Sequence, residues 1–145
     1  MARTLTRWFL ALAYLAAGIL HVLIPAPFVG IMPHPVPFPE WVVFWTGIAE
    51  ILGAIGLAQG RSARLRRAAG IGLALYALCV WPANIQHMIN DLGGNGGLGL
   101  GYHVPRMIAQ PVIIWAALWA AQVTDWPFAQ ASSSGSTKSS SSEPL

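Results

Sequence analysis

Few side chains in this sequence can do chemistry, and those that can stand inside long apolar runs: His21, Glu50, Asn84, His87, Arg106 and Gln110. The set comprises an acid, a permanent base, two imidazoles and two amides. Such groups can form a charge pair, hold a proton, or hydrogen-bond the polar atoms of a ligand. Residues three or four apart share a helix face, so Asn84 lies beside His87 and Arg106 beside Gln110. Thr46, Gly47, Gly53 and Ala54 share the face of Glu50, and Ala17 and Gly18 that of His21. Small residues let membrane helices approach closely, so these polar side chains are expected to point at neighbouring helices and away from lipid. A charge at mid-bilayer costs at least about 2.5–3.5 kcal/mol on insertion scales. Glu50 must therefore be protonated, solvated or paired. Arg106 is its expected partner, with His21 and His87 as alternatives.

Other constellations are set aside. No pair of histidines has a helical ligand spacing, and thiolate is limited to Cys79, so no metal site is expected. His34 and His103 read as interfacial histidines, and Trp81, Trp115 and Trp119 as packing and interface residues. Gly94, Gly96 and Gly99 spell GxGxxG, but the dinucleotide motif needs a preceding strand and a following helix in a βαβ unit. No Ser, His and Asp arrangement or phosphate loop is present. A purely structural polar network, fixing which helices pack together, is the alternative to a binding site.

The elements that must carry these residues follow from composition. Of 145 residues, 55% are hydrophobic and 9% charged, too little charge to cover a water-soluble surface. The fold class expected is all-α, an integral membrane four-helix bundle over residues 1–126, with helices at about 8–24, 41–58, 68–89 and 104–123. The first run also has the plan of a cleavable signal peptide, with a basic start and small residues around Ala16 to Gly18. Pro82 removes a backbone donor and leaves the carbonyl of Leu78 without its helical partner, which predicts a kink.

The net charge of +3 does not point to nucleic acid, because the arginines gather beside apolar runs, at Arg3, Arg7, Arg61, Arg64, Arg66 and Arg67. Such clustering sets topology. The Gln59 to Arg67 loop is expected to be cytoplasmic, with both termini inside. All six polar residues then fall between the membrane centre and the outer face. The outer connection Pro25 to Glu40, rich in proline and apolar residues, is expected to lie along the interface as a lid. The glycine-rich Asn90 to His103 is expected to be a flexible loop. Residues 127–145 are expected to form a disordered, serine-rich tail.

Short motifs in order along the chain resemble the DoxX-like membrane proteins. They are Gly18 to His21, Ile31 to Pro33, Thr46 to Ile51, Pro82 to Ile85, and Arg106 to Gln110 with Trp115. The resemblance spans about residues 8–123 and departs in the long glycine-rich outer loop. It implies a multi-pass four-helix bundle in the bacterial inner membrane, linked to membrane oxidoreductase systems. The family takes its name from a subunit associated with thiosulfate:quinone oxidoreduction. With one cysteine, redox chemistry would require a quinone or a partner subunit. The expected function is binding of a lipophilic small molecule such as a quinone in the outer half of the bundle. The alternative is a non-catalytic accessory subunit of a membrane complex. The expected partners are the lipid bilayer and either an oxidoreductase subunit or further copies of the chain. No nucleic acid is expected.

Overall fold

A computed structural model describes residues 1–33, 35–94 and 97–128. Those residues form helices α1 (Ala2–Leu23), α2 (Ala26–Val29), α3 (Pro39–Ala58), α4 (Ala63–Gly93) and α5 (Leu100–Ala120), and no strand occurs among them. Three helices, α1, α3 and α4, are long and apolar enough to cross a membrane. The remaining long helix, α5, has 21 residues, about 31 Å at 1.5 Å per residue. Arg106, Gln110, His103 and two prolines dilute its apolar character.

The four long helices make a ring: α1 contacts α3, α3 contacts α4, α4 contacts α5, and α5 closes on α1. In this ring α3 and α5 lie on one diagonal. The core is built largely from small side chains, with Ala54, Ala74, Ala77, Ala116, Ala117, Ala120 and Ala121 buried beside Leu10, Tyr14, Leu57 and Leu73. Large apolar side chains such as Phe9, Leu12, Leu52, Ile55, Leu75 and Ile108 face outward. Glu50, Asn84, His103 and Gln110 are buried. Apolar outside and polar inside is the arrangement lipid selects.

The helices run further than their apolar runs. Ser62 caps α4, its hydroxyl accepting the Leu65 N–H at 3.2 Å, so the helix begins inside the arginine cluster. At its other end α4 continues to Gly93 and α5 starts at Leu100, so most of the expected Asn90 to His103 loop is helical. Asp91 shortens it by accepting the Leu98 N–H at 2.7 Å. A Cβ on Gly97 would collide with the Asp91 carboxyl carbon, so only glycine lets the backbone close over that side chain. Gly96 of the GxGxxG string is outside the described residues.

Pro82 lies within a single continuous α4. Gln110 of α5 supports the helix there, its side-chain amide donating to the carbonyl of Ala77. Within the expected lid, Ala26–Val29 form the short α2; His34 is outside the described residues. The tail expected from residue 127 begins with contact: Phe128 packs beside Trp115 and Trp119, with ring centroids 6.4 and 5.7 Å away. Residues 129–145 are outside the described part.

Candidate functional site

Polar residues collect at one end of the ring, where α1 and α4 end and α3 and α5 begin. They form two groups on opposite sides.

The first joins α1 to α3. These helices cross at Gly18 and Gly47: a Cβ on Gly18 would meet the Gly47 carbonyl oxygen at 2.6 Å, and one on Gly47 would meet His21 Cβ at 2.8 Å. That close approach brings His21 Nδ1 within 3.0 Å of Glu50 Oε2. Proximity is not a hydrogen bond here. Nδ1 also lies 2.8 Å from the carbonyl of Ala17, which takes its N–H, and Glu50 Oε2 is buried without a hydrogen-bond partner. Phe28 of α2 stacks on the His21 ring, centroids 3.8 Å apart, so one side chain of the proline-rich connection packs on this group. Tyr76 of α4 faces Glu50 and Thr46, with Tyr14 edge-on at 6.4 Å.

The second group joins α4 to α5. Arg106 donates through Nη2 to Asn84 Oδ1 at 2.6 Å and through Nη1 to Tyr102 Oη at 3.4 Å. His87 Nδ1 lies 3.0 Å from Nη1 and accepts from it, since guanidinium carries no acceptor. Asn84 donates in turn to Gln110 Oε1 at 3.3 Å. Beyond His87, His103 Nε2 and Asp91 Oδ2 are 2.8 Å apart, and His103 is completely buried.

The expected pairing of Glu50 with Arg106 is not formed. Glu50 has His21 beside it, and Arg106 has no carboxylate within ion-pair distance among the described residues. Ring order is the reason: α3 and α5 are diagonal, so each residue meets a group on an adjacent helix. Asn84, His87, Arg106 and Gln110 share one network, while His21 and Glu50 stand apart from it. Sequence reasoning missed Asp91, Tyr76, Tyr102 and the position of His103. Asp91 was within reach, because His87 and Asp91 are one helical turn apart.

Residues 10–123 match the family profile of a domain of unknown function, DUF8561. The chain belongs to this family. The match runs from the middle of α1 to just past α5 and takes in both polar groups. No curated protein and no solved structure matches this DUF8561 chain.

Beside the first group the DUF8561 ring has an apolar seam. Its first stretch, about 480 Å³, is an open hollow on the face of α3 and the residues before it, lined by Phe38, Trp41, Trp45, Thr46 and Ala49. A second stretch of about 340 Å³ between α3 and α4 shares Ala49 and continues past Gly53, Gly56, Ala69 and Tyr76. Tyr76 is the one polar side chain lining this inner stretch, and Glu50 lies behind it.

Proposed function

We propose that this chain is a four-span protein of the bacterial inner membrane, with α5 as the fourth span and both termini inside. In this reading it binds a lipophilic small molecule, of which a quinone is the type, in the outer half of the bundle. The observation that carries it is the meeting of an apolar seam with a buried acid: a groove between α3 and α4 is lined by the Tyr76 side chain, which faces Glu50, with His21 beyond. A quinone suits such a place, because its isoprenoid tail needs an apolar track and its carbonyl oxygens need donors. Tyr76 donates to a carbonyl. His21 and Glu50 are a proton store one step behind it. Electrons come from, or go to, a membrane oxidoreductase beside the chain, in keeping with the DoxX-like resemblance.

The reading is tested by titrating a short-chain quinone into the detergent-purified protein and following tryptophan emission, since Trp41 and Trp45 line the seam. Saturable quenching is expected, weakened at least tenfold by Ala49→Phe, which fills the seam, and unchanged by Leu12→Phe on the outward face of α1. Quenching that never saturates, or that Ala49→Phe leaves alone, would exclude a seam-bound quinone. One observation favours the accessory-subunit reading: the groove beside the α3 and α4 packing contact is floored by Ala49, Ala69 and Gly72, small residues of the kind another helix docks on. A stoichiometric co-purifying membrane protein, lost in Ala49→Phe with no quinone bound, would select that reading.

A further inference from the structure

At the outer end of the α4 and α5 pair stand three ligating side chains that the seam does not use. His87 and Asp91 occupy successive turns of α4, and His103 comes from the first turn of α5. One ligand atom from each lies within 4.8 Å of the other two. The two imidazoles are nearly perpendicular, centroids 5.1 Å apart. His103 is wholly buried, and its Nε2 faces Asp91 Oδ2 at 2.8 Å, so both atoms are turned into the cluster. Asp91 is held from outside the cluster by the Leu98 N–H and by the close backbone of Gly97. Its carboxylate is therefore fixed in position before any ligand arrives.

We propose that His87, Asp91 and His103 bind a divalent transition-metal ion. Atoms bound to such an ion at about 2.0–2.2 Å lie about 3 Å from one another. The Asp91 to His103 separation of 2.8 Å is already near that value. His87, partly exposed at the helix surface, closes the remaining gap by turning its side chain. Two imidazoles and one carboxylate suit zinc or ferrous iron, whereas magnesium and calcium take oxygen ligands. Three protein ligands leave a coordination position open to water or an outside molecule. Arg106 competes with the ion. A neutral His87 that accepts from the guanidinium at Nδ1 carries its proton on Nε2, so ligation through either nitrogen ends that hydrogen bond. Loading the ion thus pulls His87 away from Arg106 and frees the arginine.

The site is independent of what fills the seam, and zinc alone tests it. The full chain, purified in detergent through a tag without histidine and stripped with a chelator, is titrated with zinc against a chromophoric competitor. One zinc per chain is expected. His87→Gln weakens binding at least tenfold with helix content and thermal midpoint of the zinc-free protein preserved, and Asp91→Asn weakens it as much with helix content preserved. His21→Gln on the far side of the ring binds zinc as the parent does. Cobalt in place of zinc gives visible absorption bands that vanish in His87→Gln. Absence of saturable zinc uptake would overturn the proposal, and so would uptake unaltered in His87→Gln, whose partly exposed position leaves the fold intact.

Discussion

Glu50 is the residue whose surroundings decide most. Its Oε2 is buried with the His21 imidazole 3.0 Å away and no hydrogen bond to satisfy it, so its interaction energy should be shared with His21. A double-mutant cycle of Glu50→Gln and His21→Ala, read as unfolding in detergent, should show coupling of about 1–3 kcal/mol. The same cycle between Glu50 and Arg106→Gln should be additive within about 0.5 kcal/mol, as befits residues on diagonal helices. Coupling in the second cycle alone would mean that the ring order is wrong. Arg106→Gln makes a second prediction: with its competitor gone and one positive charge fewer beside the ion, zinc should bind several-fold tighter, by the same competition assay. Residue identities were legible in the sequence, because ionisable groups within apolar runs stand out on energetic grounds. Their partners were not, since which helix stands next to which is a tertiary property. The cluster of His87, Asp91 and His103 carries no such mark, because it is neither a histidine pair at helical spacing nor a thiolate set, and His103 joins it from another helix.

At the scale of the element, apolar length was enough to place every long helix but not to find its ends. Charged residues at the start of α4 and glycines before α5 read as loop, yet the Ser62 cap and the Asp91 contacts supply the hydrogen bonds that let both helices extend. The glycines inside helices divide by what they face. Gly47 confronts the backbone oxygen of Gly18, whereas a Cβ on Gly72 would meet nothing within 4 Å. Gly47→Ala should therefore push α1 from α3 and cost about 1–3 kcal/mol, the usual range for overpacking. Gly72→Ala should be neutral or stabilising by up to about 1 kcal/mol, from helix propensity. Thermal unfolding of both variants in one detergent makes the comparison. Equal effects would mean that the α1 and α3 crossing is looser than the Gly18 and Gly47 contact implies.

Across the whole molecule the two ends of the ring differ in charge. One end carries the polar groups and the carboxylates of Glu40 and Asp91. The other gathers Arg3, Arg7, Arg61, Arg64, Arg66 and Arg67, with Arg3 on Asp125 at 2.6 Å and over the Trp119 ring, and Arg66 on Gln122 at 2.8 Å. An exposed pair such as Arg3 with Asp125 contributes at most about 1 kcal/mol, so this basic end matters less for stability than for orientation. Arginines flanking apolar spans stay on the cytoplasmic side, so the proposed topology has the seam mouth and the three-ligand cluster facing outward. The test begins from Cys79→Ser, which removes the one native thiol. Single cysteines then go in at Gly60, where a side chain meets nothing within 4 Å, and at Leu98, which is exposed. In intact cells a membrane-impermeant thiol reagent should label Leu98→Cys and spare Gly60→Cys until the membrane is permeabilised. The reverse pattern would turn the protein over and put both polar groups on the cytoplasmic face. Labelling of both sites in intact cells would mean that α3 and α4 do not place their connecting loop across the bilayer from the Leu98 loop, and the spanning arrangement itself would fall.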